Sequence, residues 1–377
     1  MSSLSNIEAQ QKISVRERLQ HFTLAWYVIS MSCGGYATLL HVQPHTFPGL
    51  ETIGKVVFLS NLVAFFIITI VLIHRFYSQK KLFLRSLRNP TELLFVPTGL
   101  LSCAVILIGI QAYGVPSCGP WLLEVVYVLF WCYVVVSFLL AVAAYLYLFT
   151  AKKLTTQDMT PAWLLPIFPA MIAGTVAGAI AQDQPAERRL PILVAGLTFQ
   201  GLGFWAAIPL YGTFISRLLQ FGLPSANLRP GMFIAVGPPS FTCLALIKMS
   251  HSLPLQSTYF QQHPTAAEAL TQIALAFGIF IWTLSFWFFS ISLASCLMAY
   301  REISFHLIAY GLVFPNVGFT TATIYIGQDL YSQPILWVGS AMTIVLTLVL
   351  ITVLILHIKA LWKGDILWPG KDEDKDT

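Results

Sequence analysis

Acidic and basic residues part the chain into ten uninterrupted runs of at least 18 residues that are mostly apolar: 19–50, 56–74, 93–123, 125–151, 159–182, 190–216, 230–247, 269–300, 303–328 and 330–358. An eleventh charge-free stretch, 249–267, is rich in Ser, Gln and His and reads as a loop. A helix of about 20 apolar residues crosses the ~30 Å hydrocarbon core of a bilayer. The pattern predicts an all-α membrane protein with ten transmembrane helices. Short segments of alternating polarity, the mark of a membrane barrel, are not the pattern here.

Proline divides these ten runs into two kinds. Pro97, Pro169, Pro238 (with Pro239) and Pro315 stand near the middle of the third, fifth, seventh and ninth runs, separated by 72, 69 and 77 residues. A period of roughly 70 residues is two membrane passes, so the repeating unit is a helical hairpin and five of them follow one another. The first run has Gly34-Gly35 in place of the proline. Parallel repeats are related by an axis along the membrane normal. Broken helical ladders are tolerated where protein or water can satisfy the freed carbonyls, and bulky runs suit lipid. The arrangement expected is five hairpins around a central pore, odd-numbered helices inner and even-numbered helices outer.

Seventeen of the 21 Lys and Arg fall on the side of the membrane that holds the N-terminus, and only Lys55, Arg188, Arg189 and Lys248 on the other. The positive-inside rule then places both termini in the cytoplasm. The chain divides into a cytoplasmic segment 1–18, a transmembrane domain 19–362 and a charged cytoplasmic tail 363–377. Composition agrees, with 57% hydrophobic and 10% charged residues in 377. The formal charge of +5 follows from topology and needs no nucleic-acid partner. Six cysteines lie scattered without metal-ligand spacing, and no H-E-x-x-H, G-x-S-x-G or P-loop occurs. Neither an enzyme nor a bound cofactor is expected.

Inner helices of this kind line a pore with neutral dipoles: Ser30, Ser32, Thr98, Ser102, Thr175, Ser240, Thr242, Asn316, Thr320, Thr321 and Thr323. No acidic residue lies deep in an odd helix, which argues against a cation path and leaves a neutral or anionic solute. The residues before the four prolines, Val96, Phe168, Gly237 and Phe314, form an apolar level. Phe314 there is either a gate that works by dewetting or rotation or a packed core ring, and Phe319 is a second candidate gate. Lys248 either draws anions into the outer mouth or snorkels to the interface. Arg75 either pairs with a carboxylate at the inner face or serves topology alone.

The five-hairpin repeat, RPGMFIAVGPPSFTCLAL around the seventh helix, FPNVGFTTATI in the ninth and the tail ALWKGDILWPGKDED resemble the tellurite-resistance/dicarboxylate transporter family. The likeness runs from about Leu19 to Trp368 and is strongest to the family's malate-carrying fungal branch. It implies a homotrimer in the plasma membrane whose pore is occluded by a phenylalanine, matched here by Phe314. It also implies transport of malate or another C4-dicarboxylate such as succinate. Anion channels and sulfite efflux pumps share this scaffold, so both remain open as rival functions.

Overall fold

The computed structural model describes residues 15–78, 89–151 and 154–368, the side chains of residues 15–17, 90 and 91 excepted. Residues 1–14, the basic segment 79–88, Lys152, Lys153 and the tail 369–377 lie outside the described residues, and with them many of the cations that set the expected topology.

Every regular element among the described residues is helical. The long helices are α1 (Tyr27–His41), α2 (Leu50–Ser78), α3 (Glu92–Cys118), α4 (Trp121–Ala151), α5 (Phe168–Ile180), α6 (Ala186–Phe221), α7 (Gly237–Ser250), α8 (Ala266–Met298), α9 (Phe314–Asp329) and α10 (Gln333–Lys363). Among the described residues eight segments are long and apolar enough to cross a membrane, so the chain is a multi-pass membrane protein. Two of them, Ala226–Ser250 and Leu307–Asp329, join α7 and α9 to the 3-10 turns before them. The α1 and α5 helices have 15 and 13 residues. At 1.5 Å per residue they cover only about 22 and 20 Å.

Burial separates the helices. In the most apolar 18-residue window of the α7 and α9 segments 94% and 89% of the residues are buried, against 56% in α3 and 22–33% in α2, α4, α6, α8 and α10. The bulky side chains of these even helices, such as Ile70, Phe280 and Leu348, therefore point outward. In water so large an apolar exposure would be untenable, whereas lipid accepts it. Each of α1, α5, α7 and α9 packs on the helix that follows it, and the odd helices pack on one another: α1 on α3, α3 on α5, α5 on α7, α7 on α9 and α9 on α1. Small residues permit this approach where lipid gives no hydrophobic drive. At Gly196 an added Cβ would meet Ala177 Cβ and stand 3.4 Å from the backbone of Gly174, so only glycine lets α6 lie this close to α5.

The prolines expected to kink continuous helices instead begin new ones. Pro169, Pro238 and Pro315 occupy the first turn of α5, α7 and α9, and Pro97 opens the α-helical stretch Pro97–Gly109 within α3. A proline lacks the N–H that the first turn leaves unbonded anyway, so it fits there without loss. Tighter 3-10 turns precede three of these starts, over Pro161–Leu164, Ala226–Val236 and Leu307–Leu312.

Candidate functional site

These helix starts and ends are arranged around two cavities. The C-terminal ends of α1, α5, α7 and α9 and the late part of α3 surround a cavity of about 480 Å³, within the usual size of a small-molecule site. The beginnings of the same helices and the 3-10 turns before them surround an apolar space of about 20 Å³. The five odd helices therefore run in one direction. Phe314, the first residue of α9, lines both cavities.

Phe314 is 1% exposed and sits in a three-ring cluster. Its ring stacks on Phe241 of α7 at 5.0 Å between centroids and meets Phe168 of α5 edge-on at 6.1 Å. Phe168 and Phe241 meet edge-on at 5.8 Å. Offset and edge contacts suit the ring quadrupoles, each adding about 0.5–1.5 kcal/mol beyond burial. Absent side chains make the room: a Cβ on Gly237 would stand 2.5 Å from Phe168 Cζ, and one on Gly35 would stand 3.1 Å from Phe314 Cδ2. Gly237→Ala is expected to displace the Phe168 ring and cost about 1–3 kcal/mol by overpacking. A lowered thermal unfolding midpoint in detergent checks it, and an unchanged midpoint refutes it.

Side-chain donors near these helix starts bond to backbone carbonyls. Thr98 donates to the carbonyls of Leu24 (3.2 Å) and Phe95 (2.6 Å), and Ser102 to those of Tyr27 and Thr98 (both 3.0 Å). Ser240 donates to Val236 and Gly237, and Thr242 to Pro238, while Thr242 also accepts from Gln200 Nε2 at 2.8 Å. Asn316 Nδ2 donates to Leu312. Each bond satisfies a buried side-chain donor that would otherwise cost a desolvation penalty.

Of the residues expected to line a path, the structure brings Thr175, Thr321, Lys248 and Phe314 together at the large cavity. Thr98, Phe168 and Pro315 join Phe314 at the small one. Ser30, Gly237, Ser240, Thr242, Asn316 and Thr320 line neither of these two cavities and are buried between helices. Phe319, the second gate candidate, also lies away from both, stacked on Trp282 of α8 at 5.2 Å and tilted against Phe289. Five residues beyond Phe314, it points to a different side of α9. Arg75 lines neither cavity, being 5% exposed near the C-terminal end of α2 with its guanidinium 5.4 Å from the Phe76 ring centroid.

Lys248 is half-buried, with its ammonium 5.3 Å from the ring centroid of Tyr325. Among the described residues no carboxylate ion-pairs with it. Lys248 and Asp183 are the formally charged residues on the wall of the large cavity, and His41 is titratable there. Asp183 Oδ2 accepts from Gln111 Nε2 at 2.6 Å. Sequence reasoning missed Gln111, Asp183, Phe241 and Tyr325. Gln111 had one available signal, a long polar side chain inside the third apolar run; a single Phe or Tyr among so many has none.

A family model described as the voltage-dependent anion channel SLAC1 matches residues 21–358. A malic acid transport protein of Schizosaccharomyces pombe is 33% identical over 372 residues, covering 98% of this chain and 85% of that protein. A sulfite efflux pump of Trichophyton rubrum is 25% identical over 353 residues, covering 92% of this chain and 93% of the pump. An uncharacterized transporter of Methanocaldococcus jannaschii is 24% identical over 240 residues, 63% of this chain and 67% of that one. With odd helices more buried than even ones, one aromatic ring on the wall of two cavities, and a family match over nearly its whole length, the chain belongs to the SLAC1 family of anion channels and transporters.

Proposed function

We propose that this protein carries C4-dicarboxylates, malate foremost and succinate among them, across the plasma membrane through the centre of its odd helices. The observation that carries the reading is the position of Phe314, one ring shared by the walls of a wide polar-rimmed cavity and a narrow apolar one. In this reading ten helices cross the membrane as five hairpins within a domain spanning 19–362, odd helices inside. Closure of the packing from α9 back onto α1 supports it. Both termini and the tail 363–377 are cytoplasmic, so the wide cavity opens outward. Phe314 closes the path, and the paired starts of α5, α7 and α9 turn partial positive charge toward it without a fixed cation. Lys248 meets the incoming carboxylate. The protein assembles as a homotrimer whose bulky even helices face lipid and neighbouring copies. The malate assignment comes from the relative at 33% identity.

The experiment is purified protein in liposomes, with labelled malate uptake followed across imposed pH and voltage gradients and chloride current recorded in parallel. Saturable malate uptake with little chloride current is expected. Large chloride current without saturable malate flux overturns the carrier reading and leaves an anion channel, the reading that the family's description favours. The sulfite efflux relative makes a third reading testable, since cells lacking the protein would then lose sulfite tolerance.

Arg75 has a separate test. Its burial beside Phe76 at the inner end of α2 favours a role in seating that helix. Arg75→Ala is expected to lower the amount of folded protein in the membrane while the KM for malate in the surviving fraction stays within about twofold, as when substrate binding is untouched. A KM raised tenfold in well-inserted protein would instead make Arg75 a carboxylate ligand.

A further inference from the structure

His41, the last residue of α1, lines the wide cavity and is exposed. Its ring meets Tyr113 of α3 edge-on at 5.2 Å, and the Tyr113 hydroxyl is anchored by donating to the Ala37 carbonyl, one turn back on α1, at 2.7 Å. That ring contact engages neither imidazole nitrogen. Among the described residues His41 has no hydrogen bond and no ion pair. Its neighbours at this end of the bundle differ: His45 bonds Ser340 at 2.8 Å, and His251 pairs with Asp329 at 3.0 Å.

The charges around His41 come from several elements. Lys248 of α7, on the same cavity wall, lies within its electrostatic reach, as do Glu51 and Lys55 of α2. Glu51 and Lys55 pair with each other at 2.8 Å, and His251 and Asp329 do the same, so these four largely cancel. Asp183 stands on the wall and accepts from Gln111. The phenols nearby are Tyr113 and Tyr325. Lys248 and Asp183 sum to zero, so a neutral His41 leaves the wall without net charge and a protonated one makes it positive. An imidazole ordinarily titrates near pH ~6.5 and carboxylic acids near ~4. Between pH 8 and pH 6 the wall therefore changes its charge while a dicarboxylate keeps both of its own.

We propose that His41, once protonated, is the second carboxylate-binding residue of the wide cavity, donating a ring N–H to one carboxylate of the ligand while Lys248 pairs with the other. This rests on the dicarboxylate reading above and adds the residue that selects two carboxylates over one. Two cations on separate helices can both be used by a ligand with two carboxylates, whereas a monocarboxylate is already served by Lys248 alone. Tyr113 is a positioning residue, holding the imidazole at the cavity edge. Binding is acid-activated, because a bound carboxylate favours the charged form of the imidazole beside it.

The test is inhibition of labelled malate uptake by unlabelled malate and by lactate, a monocarboxylate, with the full-length protein in liposomes at pH 6 and at pH 8, the pH being equal inside and outside. Wild type is expected to bind malate about fivefold more tightly at pH 6, the upper range for a partly hydrated ion pair, while lactate changes by no more than about twofold. His41→Gln should hold malate at its weaker pH 8 level throughout. His41→Lys is charged at both pH values and should bind malate tightly at pH 8 as well, a gain that damage to the fold cannot produce. Equal malate affinity at the two pH values in wild type, or a pH dependence kept in full by His41→Gln, overturns the inference while malate transport itself stands. An equal effect of His41→Gln on malate and lactate also overturns it, since His41 would then attract any anion without pairing to a second carboxylate. Absence of saturable malate flux at either pH is a different result, and it removes the dicarboxylate reading together with this site.

Discussion

Phe314→Ala opens a leak: anion conductance through the reconstituted protein rises by about tenfold or more, the change produced when a barrier falls by ~1.4 kcal/mol. The expectation follows from geometry. Phe314 lines both the wide and the narrow cavity, and in the proposed reading its ring separates them. Phe241 and Phe168 hold that ring at 5.0 and 6.1 Å between centroids, and Gly35 itself brings no side chain against it. Truncation therefore joins the two spaces. It also costs stability, about 3–5 kcal/mol for a buried Phe→Ala, so conductance must be normalised to folded protein. Phe319→Ala is the control. It removes an equally buried ring from the contact with Trp282 and should cost similar stability without a leak. A folded Phe314→Ala protein with wild-type conductance would reduce Phe314 to a packing residue, and equal leaks from both variants would point to general loosening of the bundle.

The second large effect is expected at Lys248. Among the described residues its ammonium has the face of Tyr325 but no ion-paired carboxylate, so the charge is available to a ligand on the cavity wall. Lys248→Met keeps the length and apolar stem and removes the charge. The KM for malate entering from the wide cavity should rise about tenfold, roughly the worth of a charge-assisted hydrogen bond in a partly hydrated site. The maximal rate should change little, because the contact is made in the bound state and not only at the barrier. Lys248→Arg should recover most of the loss, and raising salt should narrow the gap between wild type and Lys248→Met. Equal KM values for Lys248→Met and wild type would show that Lys248 is an interface lysine with no part in binding.

A membrane-spanning all-helical protein was legible from charge spacing alone, since a long run without charge has few stable homes other than a lipid-spanning helix. The division into buried and lipid-facing helices was legible too. Proline recurs in runs whose most apolar 18-residue windows are 94% and 89% buried in α7 and α9, while the corresponding windows of the bulky even helices are 22–33% buried. Even the level of the Phe-Pro pair at 314–315 could be read from the recurrence of the prolines. Lengths were less secure: α1 and α5 are shorter than their apolar runs because 3-10 turns and loops use up the rest.

Sequence by itself therefore determined the solvent of this protein, its helical class and which helices are covered, because all three depend on sums of transfer free energy along the chain. Only the tertiary structure decided which polar atoms find partners. Thr175 and Thr242 are indistinguishable as letters in an apolar run, yet Thr242 is consumed by the carbonyl of Pro238 and the amide of Gln200 while the buried Thr175 hydroxyl has no partner among the described residues. Gln111 donates to the carboxylate of Asp183, 72 residues away in the chain. Phe314 and Phe319 lie on one helix, and their placement separates a ring between two cavities from a ring against Trp282. Hydrogen bonds and ring contacts are short-ranged and directional, so their partners exist only once distant helices have met.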